Sequence, residues 1–349
     1  MTLGLYLTRF LGLRILGFAL GLLALGLGLD LLRESRALAA LGGQEAMARY
    51  ALLRLPALAP SVLPLAVLFG AASGFLALSA RTELTVIRGA GVSAFGLLRR
   101  LIPLALALGA LHALLTDRGV AWSERALAAA FGPAVDAPAP EVGDRIAVRL
   151  SGEVAVARLV RPDGTALRDV TLFALDADGA LAGRIEAERA IHDDEGWRLE
   201  GVRRGAARSR EATAPWTTSL TPDAAADLAA GARAVTAAEA LRALGGRSAA
   251  TRGADYLAVQ VQRVGAAAAA PAVMLTFAAL GGFGAPRSTE GLRLAGLGGA
   301  LGLAFLALDG MAASLGRIGS LPPVLAAWAP TLAAAAGAFW ALLLAEERR

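Results

Sequence analysis

The sequence predicts a membrane protein of six α-helical spans with an all-β module inserted between the third and the fourth. Three observations carry that fold class. Of 349 residues, 56% are apolar and only 18% charged, where an ordinary soluble domain carries about a quarter charged. The apolar residues are gathered into blocks, most of them long enough to cross a bilayer. Between the third and fourth blocks hydrophobicity falls for about 130 residues, and the pattern changes to strand-like alternation.

The first block, Phe10–Leu32, is longer than the apolar core of a signal peptide, so it reads as a span. The second is Leu55–Leu78, with Pro56, Pro60 and Pro64 in its first turns, where neighbouring helices must satisfy the freed backbone groups. The third, Leu101–Leu115, continues to about Trp122. The fourth is about Val264–Phe283 and contains Pro271, the fifth about Leu292–Ala312, and the sixth Leu321–Leu344.

Strand signals run from Glu141 to Trp216. Ile146, Val148 and Leu150 alternate with Ala147 and Arg149; Val154 and Val156 with Ala155; Val170 and Leu172 with Thr171; Trp197 and Leu199 with Arg198 and Glu200. Turn clusters at Pro162-Asp163-Gly164, Asp176–Gly179 and Asp193–Gly196 separate the runs. Such spacing predicts an antiparallel sandwich or jelly-roll. With 12 Arg against 14 Asp plus Glu over Glu141–Thr221, the module is nearly neutral. Thr221-Pro222-Asp223 reads as a helix start, with short helices to Leu244. Three regions follow: 1–122 holds spans one to three, 123–258 the β module and a helical connector, and 259–349 spans four to six.

Ten arginines flank the spans on the side of both termini and five on the other, which places both termini in the cytoplasm and the β module outside. No internal repeat relates the two halves, so an inverted-repeat secondary transporter is not supported. Cysteine is absent, which excludes disulfides, thiolate metal sites and a Cys nucleophile. All 34 basic residues are arginine. A Walker-type phosphate loop needs its lysine, so any ATP-driven work must use a partner's site. The net charge of +5 is concentrated at membrane edges and is not a nucleic-acid footprint. His112 and His192, the only histidines, lie far apart with no second ligand nearby, and read as packed or surface residues. The glycines around Gly281–Gly284 and Gly296–Gly299 suit close helix packing rather than nucleotide binding.

Arg81–Ser93, RTELTVIRGAGVS, is a polar island between spans two and three. It has a threonine able to cap, an acid in the first turn, apolar Leu84, Val86 and Ile87, and glycines at 89 and 91 able to end a helix. It is either a plain re-entry turn or a docking helix through which another protein moves the spans. Thr82-Glu83-Leu84 and Ala90-Gly91-Val92-Ser93 resemble the coupling helix of the LptF/LptG family of lipopolysaccharide export permeases. Trp216–Asp223, Gly284–Ser288, Leu308-Asp309 and Leu321-Pro322-Pro323 resemble stretches of its G-type member. The likeness in layout covers essentially the whole chain.

The resemblance implies six spans and a periplasmic jelly-roll in an inner-membrane permease that is not itself an enzyme. It implies a second, LptF-type permease, a dimeric LptB-type ATPase that supplies ATP hydrolysis, and single-span LptC-type and periplasmic LptA-type jelly-roll partners. Lipopolysaccharide is the implied cargo, with no nucleic acid, metal or bound cofactor. It places Glu83 at the acid that meets a basic residue of the ATPase, within a coupling stretch that includes Leu84, Arg88 and Gly91. Arg33, Arg36, Arg49 and Arg54, after the first span, are candidates for lipid A phosphates, since guanidinium pairs with phosphate in a bidentate manner; snorkelling beside ordinary lipid is the other reading. Asp30 and Asp309, at outer span ends, suit salt bridges with an outer-loop arginine, and Asp309 joins the candidate lipopolysaccharide contacts. Two other classes stay open: a mechanotransmitting ABC subunit with a different cargo, and a membrane scaffold whose β module binds a partner.

Overall fold

The computed structural model describes residues 2–131, 145–150, 153–161, 163–176, 181–193, 196–204, 211–222, 224–225, 234–245, 253–281 and 289–347. The chain divides into two compact units. One comprises Met1–Arg33, Ala48–Ser123 and Gln262–Arg349; the other comprises Glu34–Met47 and Glu124–Val261.

Among the described residues, six helical segments are long and apolar enough to cross a membrane. They are α1 (Leu3–Leu41), α2 (Gln44–Ala80), the stretch Ile102–Phe131, α8 (Ala254–Leu280), α9 (Thr289–Arg317) and α10 (Pro323–Glu347). Most run past the apolar block that announces them, because helical turns with polar residues continue the backbone ladder beyond the hydrocarbon. The outer loop expected after the first span is replaced by helix for that reason: α1 and α2 are separated only by Gly42-Gly43, both at positive φ. The third span is built of α5 (Ile102–Leu114), a π-helical turn (Leu115–Gly119) and α6 (Val120–Phe131).

Close approach needs glycine at several helix contacts among the described residues, Gly70 of α2 against the Ile15 backbone of α1 included. A Cβ on Gly109 would lie 2.3 Å from the Ala268 carbonyl oxygen, so α5 and α8 touch there. One on Gly298 would lie 2.3 Å from the Phe277 oxygen, which joins α9 to α8 in the same way. One on Gly281 would meet the Ala295 Cβ at 2.8 Å. The packing reading of these glycine clusters holds at those positions, while Gly296 and Gly299 face open space.

The β unit is a six-stranded antiparallel sheet in the order β1-β2-β3-β4-β5-β6. The strands are β1 (Arg145–Leu150), β2 (Glu153–Leu159), β3 (Ala166–Leu175), β4 (Leu181–Asp193), β5 (Gly196–Arg204) and β6 (Glu211–Trp216). An inserted antiparallel β domain was the expected class. In detail the described strands form a meander, each paired with its sequence neighbour, without the crossovers of a Greek-key jelly-roll. Short polar turns favour that outcome: Gly164, at φ 76, returns its N–H to Arg161, and Asp163 accepts from the Thr165 N–H at 3.0 Å and hydroxyl at 2.7 Å.

Alternation sorts the faces as expected in β1, β3 and β5, where Ile146, Val148, Leu150, Val170, Leu172, Trp197 and Leu199 are buried. In β2 the buried positions are Ala155, Ala157 and Leu159, while Val154 and Val156 are only half-buried. The sheet curls enough for the Trp216 indole on β6 to donate to Glu153 on β2 at 2.8 Å. Trp197 donates to the Leu220 carbonyl at 2.6 Å, which brings the segment after β6 onto the same core. The tryptophan and leucine of the Trp216–Asp223 stretch therefore seal the β core. Thr221 opens the next turn, its hydroxyl accepting from the Ala224 N–H at 3.2 Å. Asp223 and most of the expected helical connector lie outside the described residues, apart from α7 (Ala237–Leu244).

Candidate functional site

The polar island folds as two seven-residue helices, α3 (Glu83–Gly89) and α4 (Ala94–Arg100). Thr82 does not cap α3. Its backbone is left-handed, at φ 62, and its hydroxyl turns back to the Arg81 carbonyl at 2.6 Å. The cap is made one helix later, where Ser93 accepts from the Gly96 N–H at 3.0 Å and starts α4.

Gly91 closes α3 in a Schellman motif. It sits at φ +82, its N–H returns to Arg88 at 2.9 Å, and the Val92 N–H returns to Ile87 at 3.4 Å. The hydrophobic pair that accompanies this motif, Ile87 and Val92, packs against the core of the bundle.

Leu84 is buried in the cluster that also contains Leu7, Leu78 and Leu97, and so anchors α3 to the spans. Arg88 is half-buried, and Val86 points outward at 69% exposure. The Glu83 carboxylate is about one-third exposed, with Arg81 4.0 Å away. It accepts a 2.6 Å hydrogen bond from the Tyr6 hydroxyl of α1. The island thus offers a partly exposed acid and an exposed apolar side chain on a surface fixed from beneath.

The structure disperses the four outer arginines. Arg33 and Arg36 are exposed on α1, and Arg49 is exposed on α2. Arg54 turns inward, its Nε 2.6 Å from Asp30, whose carboxylate also accepts from the Tyr50 hydroxyl at 3.1 Å. The ion pair expected for Asp30 is formed, and it engages one of the proposed phosphate ligands. Asp309 on α9 pairs with Arg263 on α8 at 3.1 Å, each about one-fifth exposed. Arg263 was expected to precede the fourth span; because α8 starts at Ala254, it lies within the helix instead.

His112 connects three helices. Its Nδ1 lies 2.8 Å from the Ala267 carbonyl oxygen and its Nε2 3.1 Å from that of Pro60. Each carbonyl is one that a proline four residues later leaves without its helical donor: Pro271 lacks the N–H for Ala267, and Pro64 the N–H for Pro60. Imidazole replaces those donors from α5. A neutral ring can donate to only one of the two carbonyls; the imidazolium form donates to both.

Beside His112 is a cavity of about 190 Å³ whose walls include Ser61, Thr116, Arg263, Asp309 and Thr331. Sequence reasoning missed the cavity, the Tyr6–Glu83 bond and the histidine clamp. Only the clamp had a signal, in the spacing of prolines within apolar helices. The loop around Gly284–Ser288 lies outside the described residues.

A family model described as lipopolysaccharide export system permease LptF/LptG matches residues 5–344. The chain belongs to the LptF/LptG permease family. That match spans all six apolar helices and the β insert, and it covers the F and G types together. A comparison with curated proteins gave no match. Family membership makes this multi-pass protein an LptF/LptG-type permease, consistent with lipopolysaccharide export.

Proposed function

We propose that the chain is the G-type transmembrane subunit of an ATP-driven exporter. In this reading it draws lipopolysaccharide from the inner membrane and passes it to a periplasmic bridge. It works beside an LptF-type permease, is driven by a dimeric LptB-type ATPase, and hands cargo on through LptC- and LptA-type jelly-roll proteins. It hydrolyses no ATP itself. Both termini and α3 face the cytoplasm and the β unit faces the periplasm, an orientation supported by the arginine count. The match across 5–344 carries the reading.

The island supports the mechanical part of the proposal. Buried Leu84 and the Tyr6–Glu83 bond tie α3 to the spans, so force applied at α3 passes into α1 and the bundle. Glu83, Arg88 and exposed Val86 form the docking surface, and Gly91 sets its end. Arg33, Arg36 and Arg49 are the proposed contacts for lipid A phosphates; Arg54 and Asp309 act through their ion pairs.

The test is co-purification from cells that express the chain with its neighbouring subunits. Glu83→Arg should lose the ATPase and keep the second permease. An ATPase still bound to this variant would remove the docking role.

A further inference from the structure

We propose that the cavity walled by Arg263, Asp309, Thr116, Ser61 and Thr331 binds a zwitterionic headgroup, a phosphate ester bearing a primary ammonium. The site lies within one bundle, and the proposal holds whether or not the chain is an exporter.

Charge inside a membrane segment is costly and marks a site by default. Here a guanidinium and a carboxylate share one cavity, so its wall carries no net charge from that pair. Only one guanidinium nitrogen of Arg263 donates to Asp309, which leaves donors on the opposite edge for phosphate oxygens. The Asp309 carboxylate keeps acceptor capacity that a primary ammonium would fill. His112 takes no part, because both its nitrogens face carbonyl oxygens.

The hydroxyls point the same way. Elsewhere in the spans, Thr276 and Ser314 return theirs to carbonyls of their own helices at 2.9 Å, as hydroxyls in apolar helices commonly do. Thr116 does not: among the described residues its Oγ1 is buried with no partner. It sits in the π-helical turn, a distortion frequent at functional sites, and it lines the cavity. A buried hydroxyl without a partner is unfavourable, and rotation of the Thr116 side chain toward the cavity it lines would present that hydroxyl to a phosphate oxygen.

Size agrees. A cavity of about 150 Å³ holds a benzene ring, so one of about 190 Å³ admits a headgroup of this kind. An anionic headgroup without an amine would leave Asp309 facing phosphate, and a quaternary ammonium has no N–H to give it. The expected order is therefore primary amine above both.

The test uses the full chain in nanodiscs of equal phosphatidylethanolamine, phosphatidylglycerol and phosphatidylcholine, followed by native mass spectrometry after lipid stripping. The wild type should retain one phosphatidylethanolamine in preference to the others. Thr116→Val and Asp309→Asn should each lower that occupancy roughly tenfold, the scale of one hydrogen bond to a charged group. Thr116→Ser should restore it, which separates a binding defect from a folding one. Repeating the measurement on protein from its native membrane locates the source: a diacyl mass assigns the headgroup to the bilayer's phospholipid, and a heavier mass to a glycolipid that carries the same group. Equal retention of the three lipids, no retained lipid, or occupancy indifferent to both substitutions would overturn the proposal.

Discussion

Replacing His112 by alanine should loosen the bundle, and the two prolines set how much. The substitution strips the Pro60 and Ala267 carbonyls of the nitrogen that stands in for their missing helical donors. Interhelical hydrogen bonds in membranes average about 0.6 kcal/mol and reach about 1.7. One such bond from a neutral ring, or two from the imidazolium, puts the loss at about 0.6–3 kcal/mol. The assay is reversible unfolding of the full chain in mixed micelles, run as a double-mutant cycle. Pro64→Ala and Pro271→Ala restore the N–H groups that these carbonyls would ordinarily receive, so His112→Ala should cost markedly less in that background. Equal costs in the two backgrounds would show that His112 acts by filling space, and the clamp would be refuted.

Two further expectations concern the helix ends. Gly91→Ala forces a side chain into a left-handed position, at about 1 kcal/mol, while Gly91→Asn should cost less; the thermal midpoint of the full chain reads both, and equal costs would count against the Schellman closure. At the start of α7, Thr236 and Glu239 form a reciprocal capping box, and Arg125 also pairs with Glu239. Burial alone would raise the Glu239 pKa, but the Thr236 backbone and hydroxyl, with Arg125, hold it below the ordinary value of 4.5. Its contribution is therefore complete above that value and is lost as pH falls through the lower, folded value. The stability gap between wild type and Glu239→Gln should close in that acid range, and a gap that widened on acidification would contradict the assignment.

The spans were legible because six apolar blocks leave a bilayer-crossing chain few alternatives. Their ends were not, since the turns around Arg33 and Arg49 are helical without being apolar. The β insert was legible from alternation at Ile146, Val148 and Leu150. The strand order was not, because alternation fixes faces and says nothing about connections. In the island, Gly91 announced a helix end that the structure contains. Thr82 announced a cap that its left-handed backbone prevents, and Ser93 starts a second helix instead. The partners of the charged residues depend on tertiary contact: nothing in local spacing joins Tyr6 to Glu83, or Arg263 to Asp309. The pairing of His112 with the prolines lies between these cases, since Pro64 and Pro271 declare orphaned carbonyls but do not name the donor.

ATP-dependent release of lipopolysaccharide from proteoliposomes tests the transport account most directly. The chain, its partner permease and the ATPase should together deliver lipid to the bridge protein only when ATP is supplied, and Glu83→Arg should abolish delivery while the permease pair stays assembled. Release that needed no ATPase, or that survived the charge reversal, would contradict it.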